Sequence, residues 1–193
     1  MNFDRCREAI EKSYRETPKR RLPLANLTAA AVLVPFFVKN DETHLLFVKR
    51  THTVRHHKGQ IAFPGGVRDD TDTDLLDTAL RETHEEIGIR RKDITPLAEM
   101  DDMITPTNYR VTPFAGSIPY PYELNINPQE TDEVISIPLS HLLDSRNHRL
   151  GYRRWLDKTY EVHYYDYEQH CVWGVTGWMV HELLERLRST LQL

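Results

Sequence analysis

Phe63–Ile89, FPGGVRDDTDTDLLDTALRETHEEIGI, is the stretch whose reading decides the fold. A Pro-Gly-Gly turn follows a short apolar run, an acidic Asp/Thr segment comes next, and a helix then runs to Gly88. Asp72 or Thr73 is suited to cap that helix, and Gly88 is a natural stop. At roughly 100° per residue, Glu85 and Glu86 fall within roughly 60° of Glu82 on one face, with Thr78 a turn earlier. Leu76, Leu80, Thr83 and Ile87 gather on a neighbouring face, with Ala79 between the two. Three carboxylates at this spacing repel one another on a bare helix. A hard divalent cation reverses the sign, because Mg²⁺ and its kind take oxygen ligands and complete their shells with water and phosphate. A Glu-rich helix face by itself is usually solvated surface. The glycines change that weighing, since Gly65 and Gly66 let backbone approach a ligand closely.

The string Arg81–Ile89, RETHEEIGI, resembles the helix of the Nudix hydrolase box, G-x5-E-x7-R-E-U-x-E-E-x-G-U. There are departures. Counting back from Arg81, the first Glu of the box falls on Thr73 and its opening Gly on Val67, so the loop is one residue longer. Thr83 fills a slot that is normally aliphatic. The role of the missing Glu passes to Asp72 or Asp74. Glu82, Glu85 and Glu86 are all retained.

Just upstream lies Lys49–Gly66, KRTHTVRHHKGQIAFPGG, the densest cationic stretch of the chain. For isolated histidines a polar loop facing water is the ordinary expectation. Here the loop leads into the Pro-Gly-Gly turn, where cations would meet a diphosphate and Arg can grip phosphate through two N–H groups. Arg50…Arg55-x-His57-x-Gly59-Gln60-Ile61-x-Phe63-Pro64-Gly65-Gly66 is similar to the motif upstream of the box in the coenzyme A diphosphatase branch of the family. The longer loop and the Trp173-Gly174-x-Thr176 phrase are similar to that branch too. The resemblance runs, with gaps, from about residue 28 to 188.

Composition sets bounds. With 193 residues, 39% hydrophobic and 28% charged, the chain reads as one globular domain over 1–193, its core at about 28–188 and a helical extension at 1–20. A net charge of −4 and a pI near 6.2 provide no basic field for nucleic acid. Cys6 and Cys171 form no zinc spacing and fit a reducing, cytoplasmic setting. No apolar run approaches the roughly 18–20 residues that span a bilayer, and the N-terminus is too charged for a signal peptide. No membrane partner is expected, and a homodimer is left open.

Taken in order, 3–16 reads as a surface helix with a Phe3, Cys6, Ile10, Tyr14 stripe. Leu27–Val38 reads as a buried strand interrupted at Pro35, paired with His44–Arg50 in a hairpin. Strands are expected at 97–103, 110–118 and within 120–127, then through Ile137, with a short helix from Pro138. A hairpin around Asp157-Lys158 and an amphipathic helix over 172–193 close the chain. The loop at Thr105–Gly116 reads equally as a pocket wall or as an ordinary turn that packs Tyr109 on the core.

The resemblance implies an α/β/α sandwich with a mixed sheet, the box helix on one face and the C-terminal helix on the other. It implies hydrolysis of the coenzyme A diphosphate, with Mg²⁺ or Mn²⁺ held by Glu82, Glu85, Glu86 and the Gly66 carbonyl. Arg81 would orient the carboxylates. Glu85, or a late carboxylate at Glu130 or Glu133, would take the proton of the attacking water. Arg50, Arg55, His57 and Lys58 would meet phosphate, with Gln60 and Tyr109 beside them. Two other readings stay open: a Nudix hydrolase of ADP-ribose or NADH, and a nucleotide-sensing module without turnover.

Overall fold

The computed structural model describes residues 2–17, 19–23, 26–51, 59–155 and 158–193. The elements in chain order are α1 (Phe3–Glu16), β1 (Thr28–Lys39), β2 (Glu42–Arg50), β3 (Ile61–Ala62), β4 (Gly65–Val67), α2 (Leu75–Ile87), β5 (Thr95–Glu99), β6 (Met103–Ile104) and β7 (Tyr109–Ser117). They continue with β8 (Thr131–Pro138), α3 (Leu139–Leu143), β9 (His148–Trp155), β10 (Lys158–Tyr167), β11 (His170–Val172) and α4 (Gly174–Leu191).

β1 is the spine of the main sheet. Its run AAAVLVPFFV is apolar on both sides, as a strand covered on both faces must be. It pairs parallel with β7 from Thr28 to Phe36 and antiparallel with β2 and β4, so the eight-stranded sheet is mixed. The expected break at Pro35 does not occur. The Leu33 N–H, two residues earlier, donates to Pro64 O on the β4 side. By strand alternation the Pro35 nitrogen faces that same side, between the end of the β4 ladder at Val32 and the start of the β2 ladder at Phe36. A missing N–H costs no ladder bond there.

Two apolar layers cover the sheet. Ala79, Leu80 and Ile87 of α2 pack with Ala31, Leu33, Leu46, Val48 and Phe114 on one face. On the other face, Cys6, Ala9 and Ile10 of α1 join Met179, Val180, Leu183, Leu184 and Leu187 of α4, over Leu45, Phe47 and Val111. The result is the α/β/α sandwich, with α2 and α4 on opposite faces. α1 is the surface helix expected, its stripe turned into the core while Asp4, Arg5, Glu8, Lys12 and Arg15 stay exposed. The second sheet, β11-β10-β9, lends Tyr165 and Val172 to the same larger cluster.

Two strand expectations are corrected. The span 97–103 divides into β5 and β6, because buried Asp101 and Asp102 turn out of the ladder to hold other segments. Asp101 accepts from Arg20 N (2.7 Å) and Arg186 (2.6 Å), and Asp102 from Leu22 N (2.9 Å) and Thr112 (2.6 Å). Residues 120–127 form no strand. Instead Asn125 N–H donates to Ile87 O (3.0 Å) and Asn127 N–H to Glu86 O (2.9 Å), satisfying carbonyls that the end of α2 leaves open. No helix among the described residues is long and apolar enough to cross a membrane.

Candidate functional site

The site begins at the two ends of α2. Asp74, rather than Asp72 or Thr73, caps the helix by accepting from Asp77 N at 2.8 Å. Thr73 closes the cap from outside, its N–H and hydroxyl both donating to Asp77 Oδ2. That frees Asp72 for another task. Gly88 ends the helix in the left-handed region, at φ 79°.

Asp72 is buried and receives Arg81 through two parallel bonds, Nε to Oδ1 at 2.8 Å and Nη2 to Oδ2 at 3.0 Å. It also accepts from Asp69 N and the Thr78 hydroxyl, both at 2.8 Å. Together, led by the Arg81 bonds, these donors hold its carboxyl well below the usual carboxylate range. Of Asp72 and Asp74, Asp72 is the one that meets Arg81. Thus anchored, Arg81 extends Nη1 to Glu82 Oε1 (2.8 Å) and Glu85 Oε2 (2.9 Å), and Nη2 to Val67 O (3.2 Å).

The acidic face is graded from wet to dry. Glu85 has a half-exposed side chain, at 50%. Glu82 is largely covered and lies against the turn: a β-carbon built on Gly66 would fall 2.4 Å from its carboxylate carbon. Only glycine leaves that space. Glu86 is 1% exposed. Its Oε2 accepts from Gly65 N at 3.1 Å, and its Oε1 has a long 3.4 Å contact with Arg50. Burial pushes the Glu86 carboxyl up to about 8, against the pull of Arg50 and the Gly65 N–H. Glu82 is raised by burial too, with Arg81 opposing it and the Glu85 and Glu130 charges adding to it.

The sheet sorts the remaining candidates by face. On β2, Leu46 and Val48 point to the α2 side, so Arg50 follows them there while Lys49 points away. Lys49 pairs with Glu133, which also meets His170 Nε2 at 3.3 Å. Glu133 is thus engaged on the α4 side of the sheet, away from the acidic helix. Glu130 precedes β8, is half-buried, and its charge bears on both Glu82 and Glu86. Its backbone carbonyl accepts from Thr51 N at 3.0 Å. Gln60 lies half-buried at the base of the cationic loop, where its carbonyl accepts from Arg50 N at 3.0 Å. Tyr109 packs against the larger cluster, on the α4 face, and does not join the carboxylates. Arg55, His57 and Lys58 lie outside the described residues.

The comparisons with known proteins agree with this geometry. The pattern of the NUDIX domain matches residues 27–159. The chain belongs to the Nudix domain family. It is 37% identical over 172 residues to a protein of Photorhabdus laumondii subsp. laumondii named "Uncharacterized Nudix hydrolase NudL", covering 89% of this chain and 90% of that one. A protein of the same name from Escherichia coli O7:K1 is 38% identical over 160 residues, with 82% of each covered. Among solved structures, a MutT protein from Methanosarcina mazei Go1 shares the fold at a TM-score of 0.55, with 15% identity over 92% of this chain and 99% of that one.

Nudix hydrolases generally use divalent metal ions, and the donor set of this chain fits one. Glu82, Glu85 and Glu86 supply only oxygen, the chemistry that Mg²⁺ and Mn²⁺ select. A carboxylate buried as deeply as Glu86, with one loose Arg contact among the described residues, is short of positive charge there. The missing β-carbon at Gly66 leaves the Glu82 carboxylate its place against the turn.

Sequence reasoning left Asp72 and Asp74 as equal candidates. Arg81 decides between them across a nine-residue gap that no periodicity spans. It also missed the Arg50–Glu86 pairing, for which a signal existed: alternation from Leu46 and Val48 puts Arg50 on the helix side. Asp72→Asn should keep the shape but remove the charge that anchors Arg81. A fall of roughly 10- to 100-fold in kcat/KM is expected, read in steady-state assays with titrated Mn²⁺. Unchanged kinetics would mean that Arg81 is held well enough without it.

Proposed function

We propose that this chain hydrolyses the diphosphate of coenzyme A or a derivative, yielding adenosine 3′,5′-bisphosphate and 4′-phosphopantetheine. The observation that carries the substrate class is the Arg50-to-Gly66 motif. The acidic face that follows it, drawn against the Gly65–Gly66 turn, carries the reaction class. Glu82, Glu85, Glu86 and the Gly66 carbonyl are the groups that would hold Mg²⁺ or Mn²⁺. Such an ion, when bound, neutralises phosphate charge and lowers the pKa of a coordinated water.

The chain's own residues have distinct tasks. Arg81, fastened to Asp72, holds Glu82 and Glu85 in place and keeps their mutual repulsion from splaying them. Gly65 N–H fixes one oxygen of Glu86 so that the other remains directed toward Arg50. Arg50 gives Glu86 a single long contact, and the other N–H groups of its guanidinium suit phosphate oxygens. Arg55, His57 and Lys58 follow it in the loop, and Gln60 closes the loop at its base. Glu130 is the group best suited to accept the proton of the attacking water, since Glu133 is paired on the far side of the sheet. Glu85, the most exposed of the helix carboxylates, is the alternative base.

Steady-state hydrolysis of coenzyme A, ADP-ribose and NADH by the purified chain with Mg²⁺ or Mn²⁺ tests the substrate. The expected result is a kcat/KM for coenzyme A at least about tenfold above the other two, the worth of one additional well-placed phosphate contact. Faster turnover of ADP-ribose or NADH would overturn the substrate and leave the hydrolase standing.

A further inference from the structure

A group of three histidines lies on the sheet face opposite α2 and has no part in diphosphate hydrolysis. His148 belongs to β9, His163 to β10 and His181 to α4, and one nitrogen from each lies within 4.8 Å of the other two. His148 Nε2 and His163 Nδ1 are 2.9 Å apart. Their ring centres are 5.1 Å apart with planes at 15°, so the two imidazoles lie edge to edge. His181 stacks on His163, with centres 3.7 Å apart. Trp178 leans on His163 from the side, and the Tyr165 hydroxyl stands 3.5 Å from His181 Nδ1. His163, at the centre, is 4% exposed, and its buried Nε2 has no hydrogen-bond partner among the described residues.

Three imidazoles are an unusual filling for a core, where apolar side chains would pack the same space with no polar nitrogen to satisfy. Burial, together with the other two imidazoles, also keeps His163 neutral at pH 7. Neutral imidazole is the form that binds metal. The nearby charges are Glu185 and Arg188 of α4, which oppose one another.

We propose that His148, His163 and His181 form a second cation site, for a borderline first-row ion such as Zn²⁺, which clamps the β9–β10 hairpin to α4. Ions of this class favour imidazole, whereas Mg²⁺ favours the carboxylates of α2, so the two sites sort their ions by ligand chemistry. Zn–N bonds are about 2.0–2.1 Å, which puts two nitrogens sharing a tetrahedral ion roughly 3.3 Å apart. The His148 and His163 nitrogens are within a few tenths of an ångström of that spacing but face one another head-on, so both rings must tilt to converge on an ion. Binding also turns His181 off its stack on His163. Both His148 and His181 are only half-buried, which leaves an ion a way in.

The test uses the full chain, stripped with chelator and kept in saturating Mg²⁺ so that the α2 site is occupied. Titration with Zn²⁺, and with Co²⁺ as a spectroscopic probe, should show one tight equivalent. Co²⁺ should develop the visible absorption of a tetrahedral nitrogen site, and Zn²⁺ should raise Tm. His148→Gln and His181→Gln, chosen because these side chains are half-exposed, should each weaken binding about 100-fold or more and abolish the rise in Tm. Absence of stoichiometric binding to the wild-type chain would overturn the proposal, whatever the variants do. So would unchanged binding in both variants, and the cluster would then be a packed stack of neutral imidazoles.

Discussion

Glu86→Gln is expected to lower kcat about a thousandfold while leaving the fold intact. Glu86 is the driest carboxylate of the acidic face, and its charge is the one most in need of a cation. Losing an anionic ligand here removes several kcal/mol of charge stabilisation, and about 4 kcal/mol is roughly a thousandfold in rate. Stability should move the other way. Burial raises the Glu86 carboxyl from 4.5 to about 8. Between those values the folded, ion-free chain holds a proton that the unfolded chain has released. The stabilisation that this proton confers is complete below pH 4.5 and is lost as pH rises through 8. Ion-free wild type should therefore lose several degrees of Tm, to order of magnitude, from about pH 5 to about pH 8. Glu86→Gln, which cannot ionise, should lack that slope. Calorimetric scans in chelator at several pH values, beside steady-state rates in Mn²⁺, read both effects. Full activity in the variant would remove Glu86 from the site.

Adjacent glycines should fail in different ways. In Gly66→Ala the new methyl meets only the end of the Glu82 side chain, at 2.4–2.6 Å. That side chain can swing away, so the fold should survive within about 1 kcal/mol. Activity should fall roughly 100-fold or more, because small misplacements of positioned groups are costly. In Gly65→Ala the methyl meets backbone instead, 2.3 Å from Ala31 O and 2.6 Å from Val32 Cα, at a φ of +154°. Neither can yield without moving β1. A loss of about 3 kcal/mol or more is expected, from overpacking and backbone strain together. Urea denaturation and kcat of the two variants separate these outcomes. A fully active Gly66→Ala would show that Glu82 works from some other position.

Much of the site was legible because its chemistry is written within one helix. The 3.6-residue period alone aligns Glu82, Glu85 and Glu86, and Gly88 marks the stop at which the structure does end α2. The glycine pair before the helix likewise announced a close approach, and Glu82 fills the space. Interpretation failed where partners come from different segments. Asp74 and Asp72 look alike in sequence, yet one caps the helix and the other anchors Arg81. Residues 120–127 had the composition of a turn and strand, but their amides are used on the end of α2. His163 falls in the hairpin expected around Asp157-Lys158, where no spacing shows that His148 and His181 would meet it.

Local spacing by itself determined the acidic helix, the turn that backs it, the apolar central strand and the family. Those features depend on the geometry of a few neighbouring residues, which is the same in any fold. The tertiary structure alone decided which charges meet. Sheet register sent Arg50 to Glu86 and Lys49 to Glu133, although the two cations are adjacent in the chain. Successive strand residues face opposite layers, so a carboxylate's role depends on which side of the sheet its backbone leaves it.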